Sequence, residues 1–211
     1  FCFVIAQLGF GPAIVQKEDL KPEHIRVGFT LAVFLGFLVA ALLVAMAPAI
    51  EVFFGVARLR HVITVLAFAI PIQSLGLVAE ALLQRAMRFR QLAMMDMIAS
   101  FVGFGVIGLI FALAGLGFWS FVAANAVYAG AKAVLCVRTF PHPKRLLWSI
   151  PEARDLLSFG GGFTLARVGN SLAGQGDKMV VARTLGAELV GLYGRAYQLM
   201  LAPPTLVGQV L

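Results

Sequence analysis

The chain has 211 residues, of which 61% are hydrophobic and 13% are charged, and its mean hydropathy is +0.94. Soluble domains carry about 25% charged residues, so this composition excludes an ordinary soluble fold and indicates a membrane protein. The formal net charge of +7 resides in short segments between apolar runs, which favours a topology signal over a nucleic-acid-binding surface.

The apolar runs predict an all-α fold, a polytopic bundle of transmembrane helices. A helix needs about 20 mainly apolar residues to cross a bilayer. Such runs occupy residues 1–15, 27–50, 61–83, 92–114 and 117–137, and a less regular region follows from 157 to 211. They are too many and too long for a secretory signal peptide. The first run is short and starts without a methionine, so we expect a fragment that lacks its first helix and its C-terminal part.

Three loops rich in basic residues predict the orientation of the bundle. If every run crosses the membrane, residues 16–26, 84–91 and 138–156 lie on one side, and their lysines and arginines favour the cytoplasm. The second loop has no acid, and we interpret its arginines as topology determinants that also touch lipid head groups: Arg85, Arg88 and Arg90. On the opposite side, Arg58 and Arg60 argue against this orientation.

Proline and small residues mark places where helices bend or pack closely. Pro71 should kink the third run, and the segment "APP" at 202–204 should kink the last helix. The small residues of 120–133 predict close helix packing. Cys2 and Cys136 lie in apolar runs, so we expect buried free thiols instead of a disulfide.

The stretch "FTLARVGNSLAGQGDKMVVARTLG", residues 163–186, is unusually polar for this chain. At roughly 100° per residue, one face of a helix through it collects Arg167, Asn170, Ser171, Gly174, Gln175, Asp177 and Lys178. Such sorting predicts one amphipathic helix over about 157–185. The glycines of "GQGDK", residues 174–178, leave a local break as the alternative.

Two further helix faces place polar groups inside the predicted spans. Ionisable groups within a bilayer are costly and are therefore candidates for function. The third run carries Gln73, Glu80 and Gln84 on one face, and the fifth carries Asn125, Tyr128 and Lys132. For Lys132 and Gln84, near predicted helix ends, snorkelling to the interface is the favoured interpretation. Glu80 is equally open to a structural and a functional role.

Residues that could support catalysis form no recognisable constellation. No Ser-His-Asp, Cys-His or catalytic carboxylate arrangement can be assembled, and the three histidines lack the spacing of metal ligands. We therefore predict a protein that is not an enzyme and that needs no metal or cofactor.

Several segments, taken together, resemble one family. They are "LGFGPAIVQKEDL" (8–20), "ALLQRAMRFRQLA" (81–93), "AGLGFWSFVA" (114–123) and "LLSFGGGFTLARVGNSLAGQGDKMVVARTLGAELVGLYGRAYQLMLAPP" (156–204). Their order and spacing over nearly the whole chain resemble the polysaccharide-transporter family. Its members are Wzx-type flippases of lipid-linked oligosaccharides within the multidrug/oligosaccharidyl-lipid/polysaccharide exporter superfamily.

The resemblance implies a multi-pass protein of the bacterial inner (plasma) membrane, built as two pseudo-symmetric helical halves around a central cavity. On that pattern, residues 1–137 are an N-terminal bundle without its first helix, 138–156 a cytoplasmic linker, and 157–211 the start of the second bundle. Residues 157–185, ending at "ARTLG", and 190–211 would be the first two helices of that second bundle.

The resemblance also implies a function and the residues for it. Family members move polyprenyl-pyrophosphate-linked sugar chains by alternating access, for surface polysaccharide or lipopolysaccharide synthesis. An anionic head group suits buried cations, so the expected substrate-binding residues are Arg167, Asn170, Lys178, Arg195 and Lys132. The coupling-ion candidates are Asp177 and Glu80, and the candidate bending points are Pro71 and Pro203–Pro204. The expected partners are the lipid-linked anionic oligosaccharide, membrane lipids and polysaccharide assembly proteins, with no nucleic acid.

Two other functions are alternatives. A multidrug or cation antiporter of the same superfamily would carry acids and aromatic residues in its cavity, and the Arg167–Lys178 face disfavours it. A membrane-embedded glycan polymerase or glycosyltransferase would need a large polar loop or clustered acids, and the longest loop here is 138–156.

Overall fold

The computed structural model describes residues 10–17, 19–56, 59–140 and 147–210, and these residues form helices joined by short turns. The elements are α1 (Phe10–Gln16), α2 (Pro22–Phe54), α3 (Leu59–Ala67), α4 (Ala69–Arg85), α5 (Phe89–Ser100), a π-helical segment (Phe101–Gly108), α6 (Leu109–Leu113), α7 (Phe118–Thr139) and α8 (Ile150–Val210). Strands are absent from these ranges, and the predicted all-α bundle is confirmed.

Four helices of the described part are long and apolar enough to cross a membrane. They run over Pro22–Phe54, Leu59–Arg85, Phe89–Leu113 and Phe118–Thr139. Each contains or closely matches one predicted run, because a length of about 20 apolar residues is a local property of the sequence. The first predicted run, 1–15, lies mostly outside the described residues, and α1 covers only its end.

The third run is interrupted where its proline requires it. α3 ends at Ala67 and α4 begins at Ala69, so the interruption falls just before Pro71. Because proline has no amide hydrogen, the carbonyl four residues earlier, that of Ala67, loses its helical partner. The predicted kink is confirmed.

Small residues let α7 lie close to its two neighbours. A Cβ added to Gly76 of α4 would stand 2.9 Å from the Ala133 Cα, and one added to Gly103 would stand 2.7 Å from the Ala124 carbonyl oxygen. Ala124 and Ala133 of α7 are both buried. The close packing predicted for 120–133 is therefore confirmed, and Cys136, on the same helix, is the buried free thiol expected there. Cys2 lies outside the described residues.

The three basic loops meet at one end of the bundle. The Arg85 Nη1 donates hydrogen bonds to the carbonyls of Ile14 (3.0 Å), Val15 (3.2 Å) and Lys17, which ties the end of α4 to the end of α1. The Arg88 guanidinium lies 5.9 Å from the centre of the Phe140 ring, so the loop after α7 is also here. The amide of residue 147 donates to the Thr30 Oγ1 at 3.0 Å, near the start of α2.

These contacts confirm that the loops share one side, and they change the interpretation of Arg85. Instead of reaching lipid head groups, this side chain satisfies carbonyls that the last turn of α1 leaves without an intrahelical partner. Arg88 and Arg90 are exposed, as a role at the membrane surface requires.

α8 is one continuous helix of 61 residues. It passes through 174–178 without a break, so the continuous helix predicted there is confirmed and the alternative break is excluded. The sorting of polar residues to one face stays a prediction, because the side chains of Gln175, Asp177 and Lys178 lie outside what the structure describes. The predicted end at "ARTLG" and a second helix from 190 are wrong. Gly186 weakens a helix by only about 1 kcal/mol relative to alanine, and the residues after it, "AEL", are strong helix formers. Pro203 and Pro204 do not end the helix either, and bending there stays a prediction.

The start of α8 packs on the first bundle. Leu156 is fully buried in the same apolar cluster as Ile14 and Val27. The helix begins at Ile150, so the last residues of the predicted linker, 138–156, are already helical. The division into two bundles stays a prediction.

Candidate functional site

A group of charged and polar side chains connects three helices inside the bundle. The Lys132 Nζ, from α7, lies 3.3 Å from the Glu80 Oε1 of α4 and 3.2 Å from the Asp96 Oδ1 of α5. The Tyr128 hydroxyl, also on α7, donates a hydrogen bond of 2.7 Å to the same Asp96 oxygen. We refer to Glu80, Asp96, Tyr128 and Lys132 as the Lys132 cluster.

Helical spacing and close packing together assemble the cluster. Tyr128 and Lys132 are four residues apart and therefore share one face of α7. That face meets α4 where Gly76 rests against Ala133, next in sequence to Lys132, and this approach brings the Glu80 carboxylate within ion-pair distance. The two faces predicted from the sequence thus lie opposite each other.

The Lys132 cluster lies within the membrane-length part of its helices, towards the end that holds the basic loops. Glu80 precedes the end of α4 at Arg85, Asp96 follows the start of α5 at Phe89, and Lys132 precedes the end of α7 at Thr139. At 1.5 Å per residue, each lies about 8–10 Å along its helix from that end. Charges at such a depth are expensive unless they face each other or a cavity.

The ammonium of Lys132 is paired, which corrects the snorkelling interpretation. Its side chain is only 23% exposed and contacts carboxylates from two other helices. A snorkelling lysine would extend its ammonium away from the bundle towards the interface. Gln84 is half-buried and Asn125 donates to the Phe121 carbonyl of its own helix, so neither joins the cluster.

A cavity of about 250 Å³ opens beside the cluster. Its polar lining comes from α4 and α7, and consists of Gln73, Ser74, Glu80, Tyr128, Lys132 and Cys136. Gln73 and Glu80 belong to the polar face predicted on the third run. In the structure this face lines the cavity, which is the usual place for polar groups within a membrane span. The arrangement can therefore hold a small polar group or water next to a charged site.

Asp96 is the functional candidate that sequence reasoning missed. It is the only charged residue between 92 and 114, and Ser100, one turn further on, is its only polar neighbour within a turn on that helix face. Helical periodicity therefore showed no row of ionisable residues on this helix. The signal that could have found it is its isolation, because a single carboxylate inside a membrane span needs a partner from another helix.

The predicted residues of α8 lie apart from the Lys132 cluster. α8 packs against α1 and α2, whereas the cluster lies among α4, α5 and α7. The side chains of Arg167, Asn170 and Arg195 are exposed, and the side chains of Asp177 and Lys178 are outside what the structure describes. Their role in substrate or ion binding stays a prediction.

Two contacts of α8 with α2 come from opposite sides of the helix. The Arg183 guanidinium lies 5.2 Å from the centre of the Phe53 ring, at the end of α2, and Arg183 is roughly 160° around the helix from Arg167, at about 100° per residue. Leu156 packs with Val27 of α2 and is only about 20° from Arg167 by the same count. These contacts therefore do not set the direction of the Arg167 face relative to α2.

These features define a class: an α-helical, multi-pass membrane protein with an ionic cluster between its spans. The whole chain, residues 1–211, matches the model of the family described as polysaccharide biosynthesis protein. The chain belongs to this family, and the family resemblance seen in the sequence is confirmed. Together with the membrane-length helices, this membership supports the predicted multi-pass location in the bacterial inner membrane.

Three curated relatives illustrate the family. The chain is 24% identical to the teichuronic acid biosynthesis protein TuaB of Bacillus subtilis (strain 168), with 96% of this chain and 42% of TuaB covered. It is 26% identical to the succinoglycan biosynthesis transport protein ExoT of Rhizobium meliloti (strain 1021), covering 98% and 42%. It is 23% identical to the lipopolysaccharide biosynthesis protein WzxC of Escherichia coli (strain K12), again covering 98% and 42%.

The chain thus spans about two fifths of the length of these relatives. No solved structure shows a significant match.

Proposed function

We propose that the full-length protein is a flippase. It translocates polyprenyl-pyrophosphate-linked oligosaccharide across the bacterial inner membrane for surface polysaccharide or lipopolysaccharide synthesis, by alternating access between two helical halves. ExoT is named as a transport protein, and TuaB and WzxC are named as biosynthesis proteins of teichuronic acid and lipopolysaccharide, which supports a transporter that serves polysaccharide synthesis.

The observation that carries the proposal is the Lys132 cluster beside its cavity. Three ionisable side chains from three different spans meet within a membrane-length bundle, where each costs several kcal/mol if unpaired. A purely structural bundle has no need of such groups, because apolar side chains of similar volume stabilise as well or better. Charges beside a cavity within a membrane typically mark substrate or ion pathways and proton relays, which a transporter needs.

The exposed face of α8 supplies the second part of the proposal. Arg167 and Asn170 are exposed on α8 and share one helix face. We assign this face, with Lys178 and Arg195, to the pyrophosphate, because guanidinium and ammonium groups bind phosphate oxygens by charge-assisted hydrogen bonds. Asp177 and Glu80 are the candidates for binding a coupling ion.

The test is flipping of a fluorescent polyprenyl-pyrophosphate sugar by the full-length protein in proteoliposomes. Replacing Arg167 and Lys178 by alanine together should slow flipping at least about tenfold, since each lost charged hydrogen bond is worth about 1.5–3 kcal/mol. The matched control is Arg183→Ala, on the same helix but roughly 160° away, which should keep the wild-type rate.

Two results would contradict the proposal at different levels. A wild-type rate in the double variant would remove Arg167 and Lys178 from the mechanism. No flipping by the well-folded wild-type protein, with any polyprenyl-pyrophosphate sugar offered, would reject the flippase itself.

A cation antiporter is the second candidate, because the Lys132 cluster contains two carboxylates and one ammonium. Its formal charge of −1 suits a cationic substrate better than an anionic one. Efflux of a cationic dye from the same proteoliposomes, lost in Glu80→Gln and kept in Glu51→Gln, would support it over the flippase.

A further inference from the structure

We propose that Glu80 is a proton-binding site and that Asp96 and Tyr128 hold Lys132 in place as its fixed counter-ion. Protonation of Glu80 does not depend on what the protein transports. Only the use of this proton to drive transport rests on the proposed function.

The ionisable side chains that face one another in the cluster lack one proton for electrical neutrality. Glu80 comes from α4, Asp96 from α5, and Tyr128, Lys132 and Cys136 from α7. With neutral tyrosine and thiol groups, two carboxylates and one ammonium leave a charge of −1. A net charge inside the membrane is expensive, and one bound proton removes it.

The hydrogen bonds decide which carboxylate takes the proton. The Asp96 Oδ1 receives two donors, the Tyr128 hydroxyl at 2.7 Å and the Lys132 ammonium at 3.2 Å. The Glu80 Oε1 contacts the Lys132 ammonium alone, at 3.3 Å. Donors stabilise the ionised form, so Asp96 stays charged and the proton binds Glu80.

The cavity gives that proton a route. Glu80 is part of the lining of the 250 Å³ cavity, together with Gln73 and Ser74, whose side chains can hydrogen-bond to water. The exchange is a transfer from a hydronium ion in the cavity to the Glu80 carboxylate, which leaves a neutral carboxyl group and water. The Glu80–Lys132 ion pair between α4 and α7 is then replaced by a weaker hydrogen bond, while the Asp96–Lys132 pair persists.

The position of Lys132 argues for a proton over a metal cation. The ammonium lies within 3.3 Å of both carboxylates, which is where a cation bridging them would have to bind. A metal ion would displace the ammonium and lose two ion pairs. A proton requires no such displacement, because it binds one carboxylate oxygen directly.

The experiment is infrared difference spectroscopy of the full-length protein in lipid, recorded as the pH is changed. A protonated carboxyl group has a carbonyl band well separated from the bands of carboxylates. Because every carboxylate gives this band once it is protonated, the readout is the wild-type spectrum minus that of a variant. We expect the component that is missing in Glu80→Gln to be present at a higher pH than the component that is missing in Glu51→Gln. Glu51 is the matched control, since it lies near the C-terminal end of α2, outside the Lys132 cluster, and accepts a hydrogen bond of 2.7 Å from the Arg60 amide.

Isotope labelling identifies the residue type without relying on a variant. In wild-type protein from cell-free synthesis, ¹³C-carboxyl glutamate should shift the component that is present at the highest pH, and ¹³C-carboxyl aspartate should not. Asp96→Asn should weaken this component at any given pH, because Glu80 and Lys132 alone already form a neutral pair. A highest-pH component that shifts with labelled aspartate, or a Glu80 component that is present at no higher pH than the Glu51 component, would overturn the proposal.

These outcomes are separate from those of the transport assay, because the spectra require no transported molecule. A Glu80-dependent band without flipping would reject the flippase and keep the proton site. Flipping without that band would keep the flippase and reject the proton site.

Discussion

At the scale of single residues, Lys132 connects three helices, because its ammonium contacts carboxylates from two other helices. An apolar side chain at this position alone would lose both contacts. The Lys132 ammonium neutralises half of the formal charge of Glu80 and Asp96, and the cluster as a whole is half-buried. Removing one member of such a group is costly, because the partners are left charged in a poorly solvated site.

Replacement of Lys132 by methionine should therefore destabilise the protein by about 3 kcal/mol, the lower end of the range for breaking a buried ion pair. The measurement is the apparent Tm of the full-length protein in detergent. The triple variant with Lys132→Met, Glu80→Gln and Asp96→Asn removes all the charges and should regain most of the lost Tm. Equal Tm values for the two variants would show that unpaired carboxylates are not the cause.

At the scale of the elements, the closeness of α4 and α7 sets the geometry of the Lys132 cluster. Gly76 leaves room for the Ala133 backbone, and the Glu80–Lys132 pair lies one turn further along α4. A side chain at residue 76 would push the helices apart in the same region that holds the ion pair.

Gly76→Ala should lower the apparent Tm although alanine is the better helix former by about 1 kcal/mol, because overpacking costs about 1–3 kcal/mol. Gly130→Ala is the control, since it lies on α7 and an added Cβ there meets nothing within 4 Å. It should leave Tm unchanged or raise it. If both variants behave alike, the close approach of α4 and α7 is not needed for stability.

At the scale of the whole molecule, the three basic loops form one end of the bundle. Contacts from Arg85, Arg88 and Thr30 hold them there, and the turn at 114–117 lies at the other end of α7. The excess of lysine and arginine predicts that the shared end is cytoplasmic.

Cysteine labelling in spheroplasts checks this orientation. In full-length protein, Arg90→Cys should react with a membrane-impermeant thiol reagent only after permeabilisation, because it lies in a basic loop. Leu116→Cys, in the exposed turn before α7, should react in intact spheroplasts. The reverse pattern would invert the topology, and the native Cys136, which is buried, should stay unlabelled.

Local sequence determined much of this protein. Four spans, the kink before Pro71, the free Cys136 and the polar faces around Glu80 and Lys132 all follow from hydropathy, proline chemistry and helical periodicity, which act over a few neighbouring residues. The continuous helix through 174–178 belongs to the same group.

Only the tertiary structure decided which faces meet. It paired Glu80 with Lys132, brought the isolated Asp96 to them and turned Arg85 towards α1, because these contacts join residues on different helices. It also carried α8 past residue 185, where the glycine in the sequence was too weak a breaker to end the helix. Ion pairs between spans depend on distances of a few ångströms across packed helices, and those distances are set by the fold and not by spacing along the chain.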